Sequence, residues 1–279
     1  MTRTWLITGA SRGFGRSLVE AVLERGDQVL ATARRPEQLV DFLARYGERV
    51  RTVALDVTDA AAAQAAVDLA VAEFGRLDVV VNNAGYANSG PIEEMTDQDF
   101  REQFEANFFG TYNVTRAALP VLRTQRSGTF VQFSSIGGRV GGTVGMGAYQ
   151  SAKFAVEGFS EVLANEVAPF GLKVVIVEPG GFRTDWQGSS MTFHQVGPDY
   201  EQTVGATNKQ RSEQQGTQAG DPDRGARVIV DVVGQDDPPR RLLLGAQAVD
   251  LALASGEARN EEARKWAEVS LSADFPKGE

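Results

Sequence analysis

Short apolar runs recur along the chain at residues 4–8, 28–32, 50–55, 78–81, 129–133, 173–177 and 242–244. Most are separated by amphipathic stretches. The first such stretch sets Leu18, Ala21, Val22 and Arg25 at helical spacing, and residues 59–74 have the same character. Strands covered on both faces are apolar at nearly every position, whereas a period of 3.6 marks a helix with one buried stripe. Seven strands alternating with helices predict an α/β fold: one doubly wound domain over residues 1–279, with a seven-stranded parallel sheet and helices on both faces. The rhythm breaks over residues 186–223, a stretch rich in Gln, Thr, Ser and Gly with isolated Trp186, Met191, Phe193 and Tyr200. So long an irregular excursion is expected to be a substrate lid, with a plain surface loop as the alternative. A helix and a strand resume after Asp223, a polar helix is expected over residues 246–266, and residues 267–279 are expected to fray.

Composition narrows the chemistry. With no cysteine there is no disulfide, no thiolate metal site and no cysteine nucleophile. With His194 as the single histidine, a zinc site or a Ser-His-Asp triad has almost nothing to be built from. His194 lies in the irregular segment and is expected at the surface or against substrate. A net charge of −9 argues against a nucleic-acid partner, because phosphate binding draws on a basic surface. No apolar run approaches the roughly 18 residues of a membrane span, and no secretory signal is visible, so a cytoplasmic protein without a membrane partner is expected.

After the first strand comes Thr8-Gly9-Ala10-Ser11-Arg12-Gly13-Phe14-Gly15, which leads into a helix. Glycines there permit a sharp turn, let backbone N–H groups approach a pyrophosphate, and let helix pack on strand. The run from Gly9 through Ser11, Arg12, Gly13, Phe14 and Gly15 is therefore a candidate cradle for a dinucleotide in a Rossmann-type fold. An acidic residue ending the second strand would hold a ribose 2′-hydroxyl. Here Thr32 and Ala33 stand there, followed by Arg34 and Arg35. Together with Arg12 these guanidiniums favour a 2′-phosphate, hence NADP(H) over NAD(H). Asp56 and Val57, after the third strand, could meet the adenine. Asn83, Ala84 and Gly85 follow the fourth strand in the same way.

Tyr149 and Lys153 are four residues apart on a helical segment, which puts them on one face. An ammonium near a phenol stabilises the phenolate and would bring its pKa down from about 10, making a proton donor and acceptor usable near neutrality. Ser134 and Ser135 end the preceding strand, and Asn107 lies in the long helix before it. In this order and spacing Gly9, Gly13, Gly15, Asn82 to Gly85, Asn107, Ser135, Tyr149 and Lys153 resemble the short-chain dehydrogenase/reductase family. Pro179, Gly180 and Thr184 match its PGxxxT segment. The resemblance implies that Ser135 holds the substrate oxygen and Tyr149 exchanges its proton. It further implies that Lys153 binds the nicotinamide ribose and lowers the tyrosine pKa, that Asn107 steadies a relaying water, and that Thr184 and the backbone near Phe182 hold the carboxamide. Ser135 precedes Tyr149 by one residue more than the resemblance leads one to expect, and Ser134 stands further away still, so which serine acts is left open.

Ile136, Val144, Met146, Tyr86, Phe182, Trp186 and Met191 are expected to wall the substrate pocket, with Ser135, Ile136, Met146, Tyr149 and Trp186 touching the substrate. Apolar walls favour a hydrophobic alcohol or ketone. The segments ATARRP and VEPGGFRT are most similar to the 17β-hydroxysteroid and retinol dehydrogenase branch. The resemblance also implies a homodimer or homotetramer, for which Phe104, Phe108, Val156 and Phe159 suit an interface and an ordinary core equally. Two rivals stand beside this reading: a non-catalytic NADP-binding redox sensor, which would be expected to lose the tyrosine or lysine, and an epimerase or dehydratase of the wider family, which would use the same pair.

Overall fold

In a computed structural model, which describes residues 2–184, 186 and 190–275, the apolar runs become the strands β1 (Thr4–Ile7), β2 (Gln28–Ala33), β3 (Val50–Ala54) and β4 (Val79–Asn82). They are followed by the short β5 (Ala87–Ser89), then β6 (Gly128–Phe133), β7 (Leu172–Pro179), the short β8 (Met191–Phe193) and β9 (Arg241–Leu244). Seven of them pair in parallel in the order β3-β2-β1-β4-β6-β7-β9. The chain thus starts mid-sheet, runs outward through β2 and β3, then returns to β4 on the other side of β1. Where the winding reverses, between β1 and β4, neighbouring connections leave on opposite faces and a crevice opens at the carboxyl ends. This is the doubly wound, Rossmann-like architecture expected from the strand pattern.

Alternation along each strand decides the layers. Trp5 and Ile7 face one core while Leu6 faces the other; Val79 and Val81 are divided from Val80 in the same way. The first core is closed by helices α1 (Gly13–Glu24) and α2 (Val40–Tyr46) and, later in the chain, by a helix at Pro222–Val233. The second is closed by α3 (Ala60–Phe74), which buries only Ala63, Ala66, Val67 and Ala70 and so lies close to the sheet. Asp59 caps α3 by accepting from the Ala61 and Ala62 amides, and Gly75 ends it at φ 76°. Beside it run α4 (Asp97–Phe104) and α5 (Gly110–Gln125), joined through a π turn at Glu105–Phe109. After α6 (Ile136–Val140) comes the long α7 (Gly147–Val167), which carries Tyr149 and Lys153.

Residues 186–223 are more ordered than their composition suggests. β8 pairs in parallel with β5, and α8 (Ala206–Glu213) follows a π turn at Glu201–Gly205. A strand of three residues is too short to show a period, and α8 is polar on nearly every face, so neither leaves a hydrophobic signature. Residues 185 and 187–189 of this segment lie outside the described residues. The chain closes with α9 (Pro222–Val233), β9, α10 (Ala246–Lys265) and α11 (Ala267–Leu271). Residues 267–271 form a helical turn, and 276–279 lie outside the described residues.

Gly158 in α7 and Gly256 in α10 have open space where a Cβ would stand, whereas a Cβ on Gly15 would lie 2.2 Å from the Gly9 carbonyl oxygen. Gly158→Ala and Gly256→Ala should each raise stability by about 0.5–1 kcal/mol in urea unfolding, by removing chain entropy from helix interiors. Gly15→Ala should lower it by about 1–3 kcal/mol through overpacking. Equal effects at all three positions would contradict this packing.

Candidate active site

A cavity of about 840 Å³ opens at the carboxyl ends of the strands. Its wall takes Gly9 from beyond β1, Ala33 and Arg34 from β2, Asp56 and Val57 from β3, and Asn83, Ala84 and Gly85 from β4. Ser134 and Ser135 follow β6, and Pro179, Gly180, Phe182 and Thr184 come with β7. Ser11, Arg12, Gly13 and Phe14 line it too, while Gly15 lies beneath, buried against Gly9. The structure thus gathers the sequence candidates around one space.

The glycine turn is built by close approach. Gly9 has φ 65°, and a Cβ there would stand 2.9 Å from the Ala84 Cα. Asn83 Nδ2 donates to the carbonyls of Thr8 (2.9 Å) and Gly9 (3.2 Å), and Thr8 Oγ1 accepts from the amides of Asn83 and Ala84. The Asn83 amide therefore braces the turn, a positioning task the sequence alone did not separate from ligand contact. Helix α1 opens with no acidic residue in its first turn, so the positive end of its dipole meets an anion unopposed. A dinucleotide phosphate fits this cradle, and Arg12 and Arg34 line the same cavity. The Phe14 and Phe182 rings pack tilted at 4.7 Å and hold the cradle against the PGxxxT segment. Asn113, unremarked in the sequence, donates to the Val57 carbonyl at 3.0 Å and fixes the wall after β3.

Tyr149 and Lys153 occupy the first turns of α7 and are each only 5% exposed. Lys153 Nζ donates to the Phe133 carbonyl at 2.8 Å. Burial pushes its pKa down to about 8. Tyr149 is also moved by burial, but upward, and a hydrogen bond with the Ser135 hydroxyl partly opposes this. The expected lowering of the tyrosine pKa is therefore not a property of these side chains alone: desolvation disfavours the charged form of both.

Ser135 accepts from the Gly137 amide at 3.1 Å as the cap of α6. Ser134 instead donates to the buried Glu157 carboxylate, so geometry favours Ser135 as the serine beside the phenol. The extra residue in the spacing is taken up by α6 and by Gly141, Gly142 and Gly145, all at φ between 70° and 78°. The glycine-rich stretch between Ser135 and Tyr149 is thus partly helical.

Asn107 lies in the π turn between α4 and α5, where widening re-aims one side chain without ending the helix. Its Nδ2 donates to the Tyr86 and Gln103 carbonyls at 3.0 Å each. Its Oδ1 is buried without a protein donor among the described residues. A Cβ on Gly85 would come within 2.5 Å of that oxygen and 3.7 Å of Lys153 Nζ, which places amide and amine against the same face of one glycine.

Around Tyr149, the walls include Tyr86, Ile136, Met146, Phe182 and Trp186, whose ring meets that of Tyr149 edge-on at 5.1 Å. Val144 and Met191 are not among the cavity residues: Val144 is 44% exposed and Met191 is buried in a cluster with Ala87 and Tyr149. Thr143, Gln150 and Arg211 line the cavity and make it more polar than expected. His194 does not line it; its Nδ1 lies 4.0 Å from Asp99 Oδ2, so it has a partner outside the cavity. Among the described residues no cluster of histidine and carboxylates could hold a metal ion, and no helix is long and apolar enough to cross a membrane.

Comparison with known proteins agrees with this geometry. Residues 3–194 match the model of the short chain dehydrogenase family. Oxidoreductase BOA17 of Botryotinia fuckeliana is 48% identical over 274 residues, covering 98% of this chain and 100% of that protein. A 3-ketodihydrosphingosine reductase of Bacteroides thetaiotaomicron is 36% identical, over 86% of this chain and 87% of its own. Among solved structures, a short-chain dehydrogenase from Streptomyces avermitilis superposes with a TM-score of 0.91 at 42% identity, covering 99% of this chain and 100% of that one. ElxO with NADP bound gives 0.72 at 28% identity, over 87% and 96%.

The lowered lysine pKa has a consequence for stability. In the folded, cofactor-free protein Lys153 loses its proton near 8, against an ordinary 10.5. Between those values the unfolded chain holds more protons, so Lys153 adds stability as pH rises from 8 toward 10, at up to about 1.4 kcal/mol per pH unit. Urea unfolding at stepped pH should show this rise in the native protein relative to Lys153→Met. A difference between the two that does not change with pH would contradict it.

Proposed function

Because the chain belongs to the short-chain dehydrogenase family, we propose that it is an NADP(H)-dependent oxidoreductase acting on a secondary alcohol or ketone, with Tyr149 as general acid and base. The observation that carries this reading is the buried phenol of Tyr149, with Ser135 beside it and Lys153 one helical turn away, in the same cavity as the glycine cradle. When bound, the nicotinamide supplies the hydride and, once oxidised, a positive charge.

The chain's own residues do the rest. Ser135 and Tyr149 donate hydrogen bonds to the carbonyl oxygen, where negative charge develops as the carbon is reduced. Tyr149 then delivers the proton that completes the alcohol. Lys153 contacts the ribose hydroxyls and re-protonates the phenolate, and the Asn107 Oδ1 steadies a water that feeds Lys153. Asp56 and Val57 bound the adenine site, Asn83 holds the glycine turn, and Pro179, Gly180, Phe182 and Thr184 border the carboxamide.

NADP(H) rather than NAD(H) is supported by Ala33 at the end of β2, where a carboxylate would repel a 2′-phosphate, and by Arg12 and Arg34 on the cavity wall. Residues 186–223 act as a substrate lid within a single domain, a reading supported by Trp186, Ser190 and Arg211 lining the cavity. Ile136, Met146 and Trp186 give the substrate an apolar wall, which favours a hydrophobic carbonyl compound. Kinship with the 17β-hydroxysteroid and retinol dehydrogenase branch, suggested by the segments ATARRP and VEPGGFRT, is part of the same proposal. Assembly as a homodimer or homotetramer in the cytoplasm belongs to the same proposal.

Tyr149→Phe keeps the ring against Trp186 and removes the proton. It should leave NADPH binding intact while lowering kcat on a reducible ketone by about 10²–10⁴-fold; near-native turnover would refute the proton role. Arg34→Asp should move the NADPH to NADH preference in kcat/KM toward NADH by at least about tenfold, the worth of one charge-assisted bond. Unchanged preference would remove Arg34 from the phosphate site.

A further inference from the structure

Arg211 is the cation of this cavity that the proposed reaction does not use. Arg12 and Arg34 lie with the cradle, and Lys153 beside Tyr149. Arg211 comes from α8, inside the segment that sequence patterning left irregular. Its Nη1 donates to Ser89 Oγ at 2.9 Å and to Asn208 Oδ1 at 3.2 Å, and its Nη2 donates to the Val144 carbonyl at 2.7 Å. It also lies beside Gly145, four residues before Tyr149: a Cβ on that glycine would stand 3.5 Å from Nη1.

All three acceptors are neutral. They use three of the five N–H donors of the guanidinium and fix its plane, but they supply no opposite charge. Burial lowers its pKa, and among the described residues no carboxylate forms an ion pair with it. A guanidinium keeps its proton at any working pH, and a charge taken partly out of water with only neutral partners is costly unless a counter-charge arrives. A structural pin between α8, β5 and the loop before α7 would need only the three bonds, and a neutral glutamine could make two of them. The charge itself, turned toward a ligand cavity, points to a ligand that brings an anion.

We propose that Arg211 determines specificity by receiving an anionic group, a carboxylate or phosphate, that the carbonyl substrate carries away from its reacting carbon. The substrate is then amphipathic, with an apolar body against Ile136, Met146 and Trp186 and a charged end at Arg211. This rests on the oxidoreductase reading only for the identity of the reacting group; the anion site can be tested without turnover.

Binding of hexanoate, hexyl phosphate and methyl hexanoate is measured by calorimetry, with and without NADP+, to the native protein, Arg211→Met and Arg211→Lys. Circular dichroism confirms the fold of each variant. One of the two anions should bind the native protein at least about tenfold more tightly than the uncharged ester, as one charge-assisted contact allows. That preference should vanish in Arg211→Met and survive in part in Arg211→Lys, and the stronger anion identifies the group. Equal binding of anions and ester by the native protein overturns the proposal. So does an anion preference that persists undiminished in Arg211→Met. Anion binding through Arg211 without reduction of any keto analogue by NADPH would leave the anion site standing and defeat the oxidoreductase reading instead.

Discussion

A phenol and an amine buried one helical turn apart, with desolvation as the main influence on each, set the terms for the rest of this molecule. Burial holds Tyr149 protonated and loosens the hold of Lys153 on its proton in the cofactor-free protein. Burying two such polar groups is costly. The pair is held in place by ties on α7: near the start of the helix Gln150 bonds back to Thr143, and at its middle Glu157 binds Ser134 and Arg241. Arg241 also holds the fully buried Glu178 at 2.6 Å, together with Arg139. The charged network behind α7 thus lets the reactive turn stay dry without letting it move.

The sheet brings the remaining parts to that turn. Parallel strands leave all their carboxyl ends on one side, and the reversal between β1 and β4 leaves a gap there. The glycine turn closes one side of the gap, braced by Asn83 and Thr8, and α7 closes the other. Gly85 sits between, free of a Cβ, so that Asn107 and Lys153 approach the same stretch of backbone. Small residues at these contacts are therefore a requirement of distance, and bulk at any of them would separate cradle from phenol.

Much of this was legible in the residues. The inner strands could be read because burial on both faces makes them largely apolar, and the glycine turn and the Tyr149 and Lys153 pair because their spacing is local. What escaped has physical reasons. β5 and β8 are three residues each and carry no period. The extra residue between Ser135 and Tyr149 was absorbed by α6 and left-handed glycines, which spacing alone does not reveal. Asn113 and Arg211 reach their places only through tertiary contacts, and the pKa directions follow from burial, which a sequence does not state. Val144 and Met191 were read as pocket walls because they are apolar near the site, but one turned to solvent and the other into the core.

The most direct test of the central claim follows two hydrogens at once. A ketone is reduced in ordinary water with NADPH deuterated at the transferable position of the nicotinamide, and the alcohol is examined by mass spectrometry and NMR. The account predicts one deuterium on the carbinol carbon for each NADPH consumed, with the hydroxyl proton coming from solvent through the protein. Consumption of NADPH with no deuterium on that carbon would contradict it.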